Sequence, residues 1–308
     1  MRFTPLISIN INEMTERTKK YVQYFLSKGP KKESHIILYY IKILFYLYLK
    51  LYMNIICLIT WQPKKIWCDF LDTFSLYKIC MMVDDDAFDL MLFTALYKNI
   101  HFIKVSKDLC RQAGYMNTNY FIGKVISGWD KVLYYFGMDE DKYDFIWLIE
   151  DDVFFYAEQT LIRLDNNYAT EDLLANRYYT NPDGNKQTWN WAHVTLSFAP
   201  PYYRGMMCAV RFSKKMMGCI KQYARDNGTL TFLEALFPTV AIKRHLNYAT
   251  PIEMADIHYR YNFVKTAMDA NSLYHPIKNM YTHVWLRQQL YRSNAEKKRF
   301  KLAHLKSA

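Results

Sequence analysis

Residues Tyr143 to Phe155 read YDFIWLIEDDVFF, and this stretch decides the fold. Its apolar run, Phe145 to Ile149, leads directly into three consecutive carboxylates, Glu150, Asp151 and Asp152. A short run without polar alternation predicts a strand buried on both faces, as in a parallel sheet. Three adjacent acids at the end of such a strand repel one another and are costly to desolvate. We therefore expect a cation to offset their charge.

The position of these acids favours a metal ion as that cation. In open α/β sheets, ligands bind in the crevice at the carboxyl ends of the strands. Carboxylate oxygens are hard ligands that suit Mg²⁺ or Mn²⁺ carrying a phosphorylated ligand. The alternative is an acidic turn that pairs with Lys or Arg.

Strand and helix patterns alternate before this stretch. Such a rhythm predicts an α/β domain with a mostly parallel central sheet flanked by helices. The predicted strands are residues 54–61, 77–83 and 100–105, and the predicted helices are residues 63–74, 87–97 and 129–136.

A second acid cluster, Asp84, Asp85 and Asp86, ends the predicted strand 77–83. If both clusters terminate parallel strands, they lie along the same edge of the sheet, one toward a nucleoside and the other toward metal and diphosphate. The sequence contains neither a GxGxxG turn nor a GxxxxGK[ST] loop, so neither of these motifs holds the phosphates.

This arrangement resembles the nucleotide-sugar-binding half of a GT-A fold glycosyltransferase, a Rossmann-like fold, over residues 54–290. The resemblance rests on the acids Asp84–Asp86, the helix WDKVLYYF at 129–136 and the strand IWLIEDDVFF at 146–155. The EDD triplet corresponds to the DxD motif of that fold.

The resemblance implies roles for individual residues. Asp152 is the expected metal ligand, with Glu150 and Asp151 in contact with ribose or metal-bound water. An acid among Asp84, Asp85 and Asp86 is expected to contact the base or ribose, and Lys131 is a further nucleotide-sugar candidate. Late in the chain, His275 is expected to complete the metal site, with His283 as second choice, and Lys278 to reach the diphosphate. For each histidine the alternative is a structural role.

The second half of the chain contains candidates for acceptor binding and for catalysis. A helix is predicted at 157–175, a strand at 206–211 and a helix at 214–225 capped by Ser213. Glu234 is the one acid in an apolar segment, so desolvation is expected to raise its pKa toward that of a general base. The alternative is a buried Glu paired with Arg244 or Arg260. Two segments rich in Trp, Tyr and Pro contain the candidates for binding an acceptor sugar, which are Trp189, Trp191, Tyr202, Tyr203 and Arg204. The aromatic rings could stack on sugar rings, and the alternative is that they fill the core.

The basic charge lies at the two ends of the chain. The net charge is +11, and residues 1–60 and 287–308 contribute +6 each, so the middle is close to neutral. We expect a polar, flexible segment at 1–35, an apolar helix at 36–53, the GT-A-like domain at 54–290 and a basic tail at 291–308. The helix at 36–53 has the length of a single-pass signal anchor, although Lys42 lies near its middle. Alternatives are an interfacial helix or a segment outside the functional protein. The expected localisation is membrane-associated, or otherwise cytoplasmic.

The sequence thus predicts a metal-dependent glycosyltransferase that moves a sugar from a nucleotide diphosphosugar to a hydroxyl of a glycan, protein or lipid. Inversion at the anomeric carbon is the expected course, with retention left open. A membrane surface is a further expected partner, and nucleic acid is not expected. Two alternatives remain: another metal-dependent nucleotide enzyme, such as a nucleotidyltransferase or phosphohydrolase, or a non-catalytic membrane-attached binding protein.

Overall fold

A computed structural model describes residues 54–120, 123–138, 143–264 and 267–292. The predictions for the segment 1–35, for the apolar helix 36–53 and for most of the basic tail lie outside the described residues. Within the described ranges, no helix has the length and hydrophobicity needed to cross a bilayer.

The described residues form an α/β fold around a seven-stranded sheet. The strands of this sheet are β1 Ile55–Thr60, β2 Lys78–Val83, β3 Ile100–Ile103, β4 Phe145–Glu150, β5 Leu173–Leu174, β8 Ala209–Ser213 and β9 Tyr248–Ala249. Their order is β3-β2-β1-β4-β8-β5-β9. Strands β3, β2, β1 and β4 are mutually parallel, and β8 runs antiparallel to both β4 and β5. A separate antiparallel pair consists of β6 Tyr178–Asn181 and β7 Tyr202–Gly205.

Helices follow or precede these strands in the predicted alternation. They are α1 Lys65–Leu71, α2 Met91–Leu96, α3 Lys107–Gln112, α4 Gly128–Gly137, α5 Glu158–Asn167, α6 Lys214–Asn227, α7 Leu233–Lys243 and α8, residues 280–292. Short 3-10 turns lie at Trp191–His193 and Ile252–Met254.

The central strands are buried on both faces, as the continuous apolar runs predict. Along β1, Ile55, Cys57 and Ile59 belong to one apolar cluster, whereas Ile56 and Leu58 belong to a second cluster on the opposite face. This alternation follows from the two-residue period of a strand. Both layers of helices are therefore anchored by the same strands, and the strand ends are held in place from both sides.

Several segments differ from the sequence-based predictions, and two of them have a clear physical reason. The helix predicted at 157–175 ends at Asn167, because Leu173 and Leu174 pair with β8 and become a strand. Helix α7 was not predicted, since its sequence LEALFPTVAIK has almost no polar face. Its surroundings explain that composition: α7 packs against β7 and α6 and buries eight of its residues. A helix that is apolar all round is one that is buried all round.

Candidate active site

Helix α4 positions two side chains at the carboxyl edge of the sheet. Asp130 holds the helix start by accepting hydrogen bonds from the Ser127 and Thr118 backbone N–H groups at 2.8 and 3.1 Å. Burial raises the pKa of Asp130 to about 6. Trp129 and Lys131 lie on either side of Asp130 in the sequence. The Trp129 side chain reaches the end of β4, and the Lys131 side chain reaches the end of β2.

The acids after β2 surround the buried ammonium of Lys131. Its Nζ lies 3.1 Å from Asp84 Oδ1 and 2.7 Å from Asp86 Oδ1, and the Lys131 side chain has no exposed surface. Asp86 also pairs with Lys107 at 3.4 Å, and Asp84 with Lys124 at 3.4 Å. Asp84 and Asp86, two of the three acids expected at the nucleoside, thus form one network of charges with Lys131 at the β2 end.

Asp85 is separate from this network. Its carboxylate accepts hydrogen bonds from Gln62 Nε2 at 2.6 Å and from the Ala87 backbone N–H at 2.9 Å. These bonds hold the turn after β2. A role of Asp85 in nucleotide-sugar binding stays a prediction.

Glu150 closes β4 and faces a cleft. The Trp129 indole Nε1–H donates to Glu150 Oε1 at 2.6 Å. The Glu150 backbone N–H donates at 2.9 Å to the carbonyl of Cys208, the residue before β8. Desolvation and the nearby charge of Asp152 raise the pKa of Glu150. Asp151 lies in the turn that follows β4 and is not among the residues that line the cleft.

Asp151 binds Lys64 and Thr60 instead of lining the cleft. Its Oδ2 lies 2.6 Å from Lys64 Nζ and accepts the Thr60 hydroxyl at 2.7 Å. The Trp67 indole donates to the Asp151 carbonyl at 2.8 Å. This is the pairing with a basic residue that the acidic-turn alternative describes, but it applies to one of the three acids.

Asp152 is brought to His275 by backbone pairing between distant segments. Phe154 and Tyr274 exchange two backbone hydrogen bonds of 2.8 and 2.9 Å, and the Ile277 N–H donates to the Asp152 carbonyl at 2.7 Å. As a result, His275 Nε2 lies 3.2 Å from Asp152 Oδ1. The segment of residues 274–278 is thereby fixed beside the end of β4.

The electrostatics of this pair favour a charged carboxylate. Burial raises the pKa of Asp152, but the hydrogen bond and charge of His275 and the charge of Lys278 outweigh burial, so the net shift is downward. Burial lowers the pKa of His275, and the hydrogen bond and charge of Asp152 reverse this, so its net shift is upward. Asp152 and His275 are therefore two largely buried polar side chains that are close enough to bind the same cation.

The donor set fits a divalent metal ion. His275 Nδ1 lies 2.5 Å from the His258 carbonyl, which requires a proton on Nδ1 and leaves Nε2 as the ligand atom of the neutral ring. Ligand atoms of Glu150, Cys208 and His275 lie within 4.8 Å of one another, with Asp152 beside them. An imidazole nitrogen among carboxylate oxygens suits Mn²⁺ better than Mg²⁺.

Glu234 lies in the first turn of α7 and faces the same cleft. Desolvation and the charge of Glu150 raise the pKa of Glu234 to about 7, against the lowering effect of Arg204 and His275. The alternative partners lie elsewhere: the guanidinium of Arg244 stands over the Phe198 ring at 5.8 Å, and that of Arg260 stands over Tyr259 at 4.9 Å. Among the described residues, neither forms an ion pair with Glu234.

The cleft has a volume of about 750 Å³ and brings together seven of the predicted site residues. The predicted residues that line it are Glu150, Asp152, Trp189, Arg204, Glu234, His275 and Lys278. Sequence reasoning missed several further lining residues: Asn119, Asn176, Arg177, Tyr179, Asn190, Cys208 and His258. They come from five separate loops and strands, and no local sequence pattern marks them. Trp129 begins the predicted helix 129–136, but no sequence pattern indicates its hydrogen bond to Glu150.

Three of the acceptor candidates lie behind the cleft wall. Trp191 is buried, and its ring packs on Tyr202 with centroids 5.8 Å apart. Tyr203 packs edge-on against Tyr178, and its backbone N–H donates to Thr239 Oγ1 at 3.0 Å. Trp189 does face the cleft, with the Arg204 guanidinium 5.0 Å from its ring. His283, the second choice for the metal, is fully buried and contacts Trp67 and Phe154.

Comparison with known proteins adds little to this geometry. No protein-family model matches the chain, and the search of curated proteins found no match. One similar solved structure is the 4-diphosphocytidyl-2C-methyl-D-erythritol synthase from Anaerococcus prevotii, with 10% sequence identity and a TM-score of 0.41. The match covers 77% of this chain and 96% of that one. A similarity this low carries no argument about the activity of this chain. Any such argument must rest on the geometry of the cleft.

Proposed function

We propose that this chain is a metal-dependent glycosyltransferase that uses a nucleotide diphosphosugar as donor and a hydroxyl as acceptor. The observation that carries the proposal is the meeting, in one cleft, of Asp152, His275, Lys278 and the desolvated carboxyl of Glu234. The resemblance to GT-A enzymes in the order of strands and acids supports the same conclusion.

The proposed roles follow from position and charge. Asp152 and His275, with Glu150 beside them, would hold Mn²⁺ or Mg²⁺, which supplies Lewis-acid stabilisation of the leaving diphosphate. Lys278 places a cation on the same wall, where it would contact the diphosphate. The network of Asp84, Asp86 and Lys131 lies at the end of β2, two strands away from β4 along the same sheet edge, and the nucleoside would bind there.

Glu234 is the proposed general base. Its carboxylate accepts the proton of the acceptor hydroxyl, and the oxygen then forms a bond to the anomeric carbon of the donor. The bond from that carbon to the diphosphate oxygen breaks, and the nucleoside diphosphate leaves with the electron pair. A base with a pKa of about 7 is half ionised near neutral pH, which suits this task. Attack from the face opposite the diphosphate inverts the anomeric centre.

Ligand-dependent thermal unfolding tests this function. A panel of nucleotide diphosphosugars, nucleoside triphosphates and nucleosides is added with and without Mn²⁺. At about 100 times its Kd, a ligand stabilises the fold by about 2.7 kcal/mol. In a domain of this size that energy corresponds to about 5–10 °C. We expect this increase in Tm with a diphosphosugar and Mn²⁺ together.

Two variants locate the binding. Asp152→Ala is expected to abolish the Mn²⁺-dependent increase and the transfer activity while retaining the fold, and Asp108→Ala, an exposed acid on α3, is the matched control. Stabilisation by triphosphates and not by diphosphosugars would replace this proposal with a nucleotidyltransferase or phosphohydrolase. Stabilisation by no nucleotide at all would favour a non-catalytic protein.

Glu234→Gln separates chemistry from binding. The variant is expected to lose transfer by about 100- to 10,000-fold, because the amide cannot take up the proton. Nucleotide-sugar binding, measured by the same unfolding experiment, is expected to persist. A variant that binds no donor would show that Glu234 is structural.

A further inference from the structure

A second cavity, of about 430 Å³, lies beside the cleft. It is bounded by the segments around residues 117–120, 193–197 and 227–232, and its size is within the range of small-ligand pockets. Its lining is made of hydroxyl, amide, imidazole and aromatic groups, with the aliphatic side chain of Leu230. No Asp, Glu, Lys or Arg is among the described residues that line it.

The second cavity differs from the cleft because no charged residue is among the described residues that line it. The cleft has Glu150, Asp152, Glu234, Arg204 and Lys278 on its walls, as a site for metal and diphosphate requires. A charged ligand in the second cavity would lose hydration without meeting a counter-ion, which costs free energy. A neutral ligand with many hydroxyl groups would exchange water for protein hydrogen-bond partners at little cost.

One side chain connects the two cavities. Phe232 lines both of them, and its ring stacks on that of Trp189 with centroids 5.7 Å apart. Glu234 follows Phe232 by two residues and lines the cleft. Phe232 therefore lies between the uncharged cavity and the cleft that contains the proposed base.

The cavity walls are held by bonds between distant segments. Asn117 Nδ2 donates to Thr229 Oγ1 at 2.9 Å, and the Leu230 N–H donates to the Met116 carbonyl at 3.1 Å. Asn117, which lines this cavity, has a left-handed backbone conformation with φ of 76°, and Trp189, which lines the adjoining cleft, has one with φ of 48°. Asn adopts this conformation readily, whereas it is unfavourable for Trp, and strained residues concentrate at functional sites.

We propose that this cavity binds a neutral oligosaccharide as the acceptor, with its terminal sugar reaching Glu234 past Phe232. The hydroxyl groups of Thr195 and Ser197 and the amide of Asn227 supply hydrogen-bond partners for sugar hydroxyls. The Tyr120 ring, which is 57% exposed, supplies an apolar face at the rim for a sugar ring. This inference rests on the proposed glycosyltransferase function, because it names the acceptor of that reaction.

The test fills the cavity and leaves the cleft unchanged. Thr195→Trp places an indole in the cavity from an exposed position, and Ser197→Trp does so from the same wall. Thr94→Trp on α2 is the matched control, since Thr94 is exposed and lines neither cavity. Folding of each variant is checked by its thermal unfolding without ligand, and a variant that does not fold is replaced by the other.

The probes are linear neutral oligosaccharides, from disaccharides to hexasaccharides, with sulfated oligosaccharides and a Ser/Thr-rich peptide for comparison. Binding is measured by saturation-transfer NMR and titration calorimetry, and transfer is measured with a diphosphosugar and Mn²⁺. Blocking the cavity is expected to weaken neutral-oligosaccharide binding, and to raise the acceptor KM, by about tenfold or more, as loss of about 1.4 kcal/mol of binding energy would do. Stabilisation by the diphosphosugar is expected to be unchanged.

The two proposals fail in different ways. Donor binding that remains normal while neutral oligosaccharides bind equally to the wild-type protein and to the blocked variants would overturn the cavity assignment. Failure of every neutral oligosaccharide to bind the wild-type protein, or a preference for the peptide or sulfated probes, would overturn it as well. Absence of any diphosphosugar binding would overturn the glycosyltransferase function itself.

Discussion

The desolvated carboxyl of Glu234 makes the stability of this protein depend on pH in a way that one substitution removes. The pKa of Glu234 is about 7 in the folded protein and 4.5 for an ordinary Glu. Between these values the unfolded chain releases a proton that the folded protein retains. The free energy of unfolding therefore falls as pH rises through this window.

The size of this effect follows from the shift. A difference of about 2.5 pKa units corresponds to about 3 kcal/mol at 1.36 kcal/mol per unit. Glu234→Gln keeps the shape of the side chain and removes its titration. We expect the free energy of unfolding of the variant, relative to the wild-type protein, to increase by about 3 kcal/mol between about pH 4.5 and pH 8.

Urea unfolding followed by tryptophan fluorescence measures this difference. The titration is performed with EDTA present, so that bound metal does not contribute. Glu171→Gln makes the same chemical change outside the cleft and controls for the loss of one negative charge. If the difference between Glu234→Gln and the wild-type protein is the same at about pH 5 and pH 8, then Glu234 titrates normally, and its role as general base loses its physical basis.

Two further predictions concern the framework beneath the site. Asp165 pairs with buried Arg211 at 3.1 Å and accepts the Tyr77 hydroxyl, so Asp165→Ala is expected to lower the free energy of unfolding by about 3–5 kcal/mol. Tyr77→Phe, which removes one donor, is expected to cost about 1 kcal/mol, and equal losses in the two variants would contradict this explanation. A Cβ at Gly128 would lie 2.7 Å from Ile59 Cγ2, so Gly128→Ala is expected to cost about 1–3 kcal/mol. An unchanged urea midpoint for Gly128→Ala would show that α4 has room to move.

The parallel half of the sheet was predictable because its signals are local. Strands β1, β2 and β4 are short apolar runs, and each has its carboxyl end within a residue or two of the predicted position. The acids that follow β2 and β4 could be placed on one sheet edge from topology alone. The sequence did not predict helix α7, because a helix with nearly all of its residues buried lacks the periodic polar residues that mark an amphipathic helix.

The contacts between side chains within the site were harder to predict from the sequence. Asp151 and Asp152 are adjacent in sequence and identical in type, yet one binds Lys64 and the other binds His275. The direction of each depends on where the strand leaves the sheet, which no residue type encodes. The second cavity depends on three segments that are far apart in the chain.

By itself, the sequence determined the alternation of strands and helices, the acidic edge and the isolated Glu234, because each depends on neighbours a few residues away. Only the tertiary structure decided that Asp151 turns to Lys64. The resemblance alone implied that His275 lies near Asp152, and the tertiary structure supplied the contacts that bring the two together. Those contacts require backbone pairing between Phe154 and Tyr274, and the free energy of such long-range pairing comes from the packed core as a whole.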